Sequence, residues 1–104
     1  MIEIRETVVY KKWFDSIKDR KTRSVIDVRI RRVSIGNFGD VEPVGNGISE
    51  LKIDYGPGFR IYFLKQGNVI IFLLCGGNKS SQAKDILKAR ELAERIKDQS
   101  YEEE

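Results

Sequence analysis

From Gly47 to Lys79 the chain reads GISELKIDYGPGFRIYFLKQGNVIIFLLCGGNK, three segments that alternate or run apolar, separated by Tyr55-Gly-Pro-Gly58 and Gln66-Gly-Asn68. That pattern predicts a β-meander. Leu51 and Ile53 on its first strand and Phe59, Ile61 and Phe63 on its second all ask for one buried face, because a slip of one residue would turn every one of them to water. Pairing odd with odd needs an odd-length loop, 54–58 or 55–57, which sets Lys52 opposite or diagonal to Arg60 on the other face. Continuing through Gly67-Asn68 as a two-residue hairpin places Arg60 near Cys75 and Tyr62 near Leu73. Lys79 follows Cys75 by a few residues, so Lys52, Arg60 and Lys79 converge toward one end of the sheet.

Ahead of the meander, Ile2-Glu-Ile-Arg5 alternates and reads as a short strand. Thr7 offers an N-cap hydroxyl, and Tyr10, Trp13, Phe14 and Ile17 form one face of a helix from about 8 to 20. The aromatic stripe is read as core rather than as a stacking platform for bases. A second helix, from about Thr22 to Ile35, carries Ile26, Ile30 and Val33 on one side and ends at Gly36. So short a connection makes the two helices an αα-hairpin. Pro43 bars Val41-Glu-Pro-Val44 from a central strand, leaving a loop or a frayed edge. Gly76-Gly-Asn-Lys-Ser-Ser81 turns into a last helix, capped by Ser80 or Ser81, with Ala83, Ile86, Leu87, Ala93 and Ile96 as its apolar stripe. The expected fold is α+β, β-αα-βββ-α: an antiparallel-dominated sheet with an N-terminal helical hairpin and a C-terminal helix. One domain spans 1–99, and 100–104 form an acidic tail expected to be disordered.

Composition excludes more than it selects. The 104 residues, 40% hydrophobic and 34% charged, suit one domain. No apolar run reaches membrane-spanning length and no leader precedes the first strand, so a cytoplasmic protein is expected. A single cysteine and no histidine leave no internal disulfide, no Ser-His-Asp set and no soft-ligand metal site, and no cofactor is implied. Gly76-Gly-Asn-Lys-Ser80 lacks the first glycine of a triphosphate-binding loop, although backbone N–H groups at such a turn can hold a phosphate oxygen beside Lys79. Asp15 and Asp19 read as solvated helix charges.

Charge is uneven along the chain. Residues 11–32 hold nine Lys or Arg against three Asp, whereas 80–104 hold five cations against seven anions. A basic body suits a polyanion, and Arg23, Arg29, Arg31 and Arg32 on the second helix form either its contact surface or a solvated face. On the sheet, two cations with Cβ atoms about 5 Å apart repel unless an anion lies between them. That asks for a phosphate. The competing reading is that Glu50 or Asp54, on the same face, neutralises Lys52.

Gly36-Asn-Phe-Gly-Asp40, Pro43-Val-Gly45, Glu50-Leu-Lys-Ile53, Gly56-Pro-Gly-Phe-Arg-Ile-Tyr-Phe63 and Leu73-Leu-Cys-Gly-Gly-Asn-Lys-Ser80 together resemble the HigB-like addiction module killer branch of the RelE/ParE toxin superfamily. The likeness runs from the first strand to the last helix. It implies the toxin of a bacterial or phage-derived type II toxin–antitoxin pair, bound by a separate antitoxin of helix-turn-helix type and reaching operator DNA only through it. Many relatives are ribosome-dependent endoribonucleases acting on mRNA. By position, Arg60 matches the family's sheet arginine, Lys52 its preceding strand cation and Lys79 the basic residue after the last strand. Some members add a C-terminal histidine or tyrosine; here there is no histidine and the late tyrosine is Tyr101, in the tail.

The implied chemistry is attack of the RNA 2′-OH on the adjacent phosphate without a metal, with Arg60 and Lys79 stabilising the phosphorane. Tyr62 and the second-helix arginines would contact the RNA. Lys52 is the candidate base, provided burial and neighbouring cations bring its pKa far below the ordinary value of about 10.4; paired with an acid it serves as a charge instead. Two alternatives follow from the same resemblance: a toxin that binds DNA gyrase without cutting RNA, and a degenerate toxin that retains only antitoxin binding.

Overall fold

The computed structural model describes residues 1–98; the acidic tail and Tyr101 lie outside the described residues. In chain order come β1 (Glu3–Glu6), α1 (Val8–Ser16), α2 (Arg20–Ser34), β2 (Val41–Gly45), β3 (Ile48–Ile53), β4 (Phe59–Gln66), β5 (Ile70–Asn78), a 3₁₀ turn (Lys79–Ser81) and α3 (Gln82–Lys97). One five-stranded sheet has the order β1-β5-β4-β3-β2, with β1 parallel to β5 and the other pairs antiparallel. The fold is the expected α+β arrangement with one strand more. Val41–Gly45 is a true edge strand on β3, where Pro43 needs no ladder partner on its outer side and the ladder is interrupted between Pro43 and Gly45.

Local chemistry sets the helix ends. Thr7 accepts from the Tyr10 N–H at 3.0 Å and so starts α1 as the sequence suggests. Asp19 then accepts from both the N–H and the hydroxyl of Thr22, so α2 begins at Arg20 and α1 ends at Ser16, earlier than the periodicity predicts. At the far end, Gly36 N–H reaches the Val33 carbonyl and Asn37 N–H the Arg32 carbonyl, a Schellman closure that requires the positive φ of Gly36. At the start of the last helix Ser81 occupies the N-cap position as expected, but its hydroxyl donates to Asp85 instead of accepting a capping N–H, and Asn78 caps the 3₁₀ turn before it.

Both faces of the sheet are buried. Under α1 and α2 lie Leu51, Ile53, Ile61, Phe63, Ile71 and Leu73 with Tyr10, Ile26 and Val33, the odd-numbered face that the alternation marks. Under α3 lie Ile48, Tyr62, Leu64, Phe72 and Leu74 with Ala89, Leu92, Ala93 and Ile96. Each fully buried large aliphatic side chain contributes roughly 1.5–3 kcal/mol, so neither layer is optional. Ala83 and Leu87, expected on the stripe of α3, face outward, and Ala89 and Leu92 take their place.

The hairpin between β4 and β5 corrects the predicted register. Its loop is 67–69, because Gln66 pairs with Ile70, and Leu74 is an extra residue between the pairs Phe63–Leu73 and Tyr62–Cys75. The bulge is used: the Leu74 carbonyl accepts the buried Thr7 hydroxyl at 2.6 Å. Arg60 consequently faces Gly77 rather than Cys75, and Tyr62 faces Cys75 rather than Leu73.

Candidate active site

The five-residue loop 54–58 has the odd length that the alternation demands, and Lys52 and Arg60 are direct cross-strand partners. Lys79 joins them through the backbone: its N–H donates to the Gly58 carbonyl at 3.2 Å, and its methylene stem lies where a Cβ on Gly58 would touch it. Gly58, at φ +83°, holds the turn that allows this approach. Thus the three predicted cations do gather at one end of β3, β4 and β5.

Acidic side chains gather with them. Lys52 Nζ lies 2.5 Å from Glu42 Oε1, contributed by the edge strand β2. That hydrogen bond, aided by the charges of Glu42, Asp40 and Glu50, raises the Lys52 pKa above its ordinary value, and the same bond lowers that of Glu42. A general base at neutral pH requires the opposite direction, so the condition for Lys52 as base is not met. Lys52 is a fixed cation, held by Glu42 rather than by the expected Glu50 or Asp54.

Arg60 sits deeper, with its side chain 15% exposed. Its Nη1 donates to the carbonyl of the preceding Phe59 at 3.3 Å, while its buried Nε has no hydrogen-bond partner among the described residues and lies 3.8 Å from Glu50 Oε2. An orphaned buried donor costs about 1–3 kcal/mol. Glu50 itself is 1% exposed, and its Oε2 accepts from Tyr62 Oη at 2.9 Å and from Gln82 Nε2 at 2.7 Å. Tyr62 is therefore wholly enclosed, its pKa raised by burial and by Glu50, and it forms the floor of the site instead of a surface for RNA. Beside Arg60, Gly77 lacks a side chain for a clear reason: a Cβ there would collide with Asp85 and Ser81 at the start of α3. Next to that turn the Cys75 thiol, pushed up to about 12 by burial and by Asp85, is not a nucleophile.

The sequence offers Glu50 only as a rival partner for Lys52 and gives no sign of Glu42, Gln82 or Asp85 at the site. Glu50 beside Tyr62 follows from the same register that pairs Lys52 with Arg60. Gln82 had no local signal, since it arrives from α3, 32 residues away along the chain.

The second-helix arginines do not share this surface, because α2 packs on the other side of the sheet. Arg29 is a strap: its guanidinium donates to the carbonyls of Lys52 at 2.7 Å and Phe38 at 3.1 Å, tying α2 to β3 and to the glycine-rich loop beyond it. Arg23 lies over the Phe14 ring at 5.0 Å, near Asp15. Arg31 and Arg32 are exposed, and Arg32 rims a groove of about 590 Å³ floored by Val25, Val28, Ile53 and Tyr55. Among the described residues no cluster of His, Cys, Asp and Glu could hold a metal ion, and no helix is long and apolar enough to cross a membrane.

No protein-family model matches the sequence. An uncharacterized protein of Haemophilus influenzae is 43% identical over 95 residues, covering 91% of this chain and 96% of that one. Among solved structures, a mutant of the Escherichia coli toxin RelE in the free state superposes with a TM-score of 0.68 at 12% identity, over 91% of this chain and 97% of the toxin. The toxin–antitoxin complex RelBE2 of Mycobacterium tuberculosis matches with a TM-score of 0.59 at 12% identity, over 75% of this chain and 98% of the matched one. At that identity the likeness is one of fold.

Proposed function

Because the chain belongs to one family with the Haemophilus influenzae protein and has the fold of the RelE toxin, we propose that it is the toxin of a type II toxin–antitoxin pair and cuts mRNA on the ribosome. The observation that carries this reading is the cross-strand pair Lys52–Arg60 with Lys79 laid against Gly58, three cations at one end of a sheet. RNA supplies the nucleophile. As the P–O2′ bond forms and the P–O5′ bond breaks, O2′ loses a proton and O5′ gains one, leaving a 2′,3′-cyclic phosphate and a 5′-OH with no net proton and no metal required. Arg60 and Lys79 stabilise the extra negative charge on the phosphorane, which is where fixed donors act most strongly. Lys52, already a cation at neutral pH and held in place by Glu42, adds charge and removes no proton.

The partner on this reading is a helix-turn-helix antitoxin, in keeping with the fold shared with a toxin–antitoxin complex. Arg31 and Arg32, on the opposite layer, serve RNA backbone or antitoxin rather than the reacting phosphate. The setting is the cytoplasm, where ribosomes are.

A second reading has support of its own. Two of the three cations face acids, Lys52 with Glu42 and Arg60 with Glu50, which suits a toxin that binds DNA gyrase and leaves RNA intact. Inducing the chain without its antitoxin and mapping mRNA 5′ ends separates the two. We expect new, translation-dependent ends that vanish with Arg60→Ala and weaken at least tenfold with Lys79→Ala. Growth arrest with intact mRNA and supercoiling defects would establish the gyrase reading instead; no arrest at all would mark a degenerate toxin.

A further inference from the structure

The buried Glu50 network is the feature that the proposed chemistry leaves unused. One carboxylate oxygen, Oε2, takes the Tyr62 hydroxyl and the Gln82 amide and faces Arg60 Nε from 3.8 Å, about an ångström beyond a charge-assisted hydrogen bond. Tyr62 is the cross-strand partner of Glu50, and Gln82 is the first residue of α3, so the carboxylate is fixed from both the sheet and the helix. Only the arginine stands off. A buried ion pair with its donor unsatisfied is a poor device for stability, since an apolar replacement of similar volume often does as well. It is a good device for a site that completes itself on binding, because hydrogen bonds in an empty site are often long and tighten around the ligand.

We propose that Glu50 is a positioning residue for Arg60: when a phosphate takes the outer guanidinium N–H groups, Nε closes onto Glu50 Oε2 and the arginine fork is fixed toward the phosphate. Glu50 does not touch substrate. It acts through Arg60, and Gln82 and Tyr62 act through Glu50. This rests on the nuclease reading for its consequence in catalysis, but the closing step itself needs only a phosphate.

Titrating ¹⁵N-labelled protein with inorganic phosphate while following the Arg60 Nε–H resonance, assigned by its loss in Arg60→Lys, tests the closure directly. In the wild type, saturation should move this resonance downfield and slow its exchange with water. In Glu50→Gln it should stay in place. Gln82→Ala, at the half-buried rim of the network, should halve the movement or more, and it carries the test if Glu50→Gln fails to fold. In mRNA cleavage, Gln82→Ala should lower kcat roughly 10- to 100-fold with KM unchanged within about threefold. A wild-type resonance indifferent to phosphate, or one that moves equally in all variants, overturns the proposal. Movement in a wild type that cuts no RNA retains the positioning and rejects the nuclease; full cleavage by Glu50→Gln and Gln82→Ala does the reverse.

Discussion

Lys52 and Glu42 hold each other across the edge of the sheet, and each shifts the other's titration in the direction that favours the charged pair. The raised pKa of Lys52 gives a contribution that is complete below the ordinary lysine pKa and lost as pH rises through the raised one. The lowered pKa of Glu42 gives one that is complete above the ordinary carboxylate pKa and lost as pH falls through the lowered one. The pair therefore contributes evenly across neutral pH and fades at both ends. Glu42→Gln should show a modestly lower denaturant midpoint at pH 7 than the wild type, with the gap closing in strongly alkaline solution. A gap that persists there would mean that Glu42 acts through packing and not through the charge of Lys52.

Among the elements, β5 is the most constrained, because it must serve a helix on each side. Gly76 faces α1, where a Cβ would come within 2.5 Å of the Trp13 ring, and Gly77 faces the start of α3. A rigid indole cannot move aside as the end of a lysine does. Gly76→Ala should cost about 1–3 kcal/mol, read from chemical denaturation, by overpacking that one contact. The same strand contains the Leu74 bulge, stabilised by Thr7, and the bulge decides which residue Arg60 meets. An uninterrupted apolar run such as Val69 to Cys75 gives no alternation from which a bulge could be read, since both of its faces are buried. The β3–β4 pairing was legible for the opposite reason: Leu51 and Ile53 before the turn and Phe59 and Ile61 after it alternate with polar residues, and an odd loop keeps them on one face.

At the scale of the molecule, one sheet is the common wall of two cores, so damage on either side should weaken the same transition. Leu92 belongs to α3 and Ile26 to α2, both buried and packed on opposite faces of the sheet. Leu92→Ala and Ile26→Ala should each cost about 2–5 kcal/mol. Trp13, the one tryptophan, sits on the α1 side, yet its fluorescence should report the Leu92→Ala loss at the same midpoint as far-UV circular dichroism. Separate midpoints would show that the two layers unfold independently. The same layering explains why the basic α2 and the sheet cations lie on opposite sides.

Sequence alone determined most of the elements, the buried odd face of β3 and β4 and the Lys52–Arg60 pair. All of these follow from periodicity, caps and turn length, which act over a few residues. Tertiary structure decided the surroundings of that pair: that Glu42 from the edge strand holds Lys52, that Tyr62 is enclosed, and that Glu50, bonded by Tyr62 and Gln82, lies beside Arg60. Those contacts join residues far apart in the chain, and their geometry depends on where a bulge, an edge strand and the last helix come to rest.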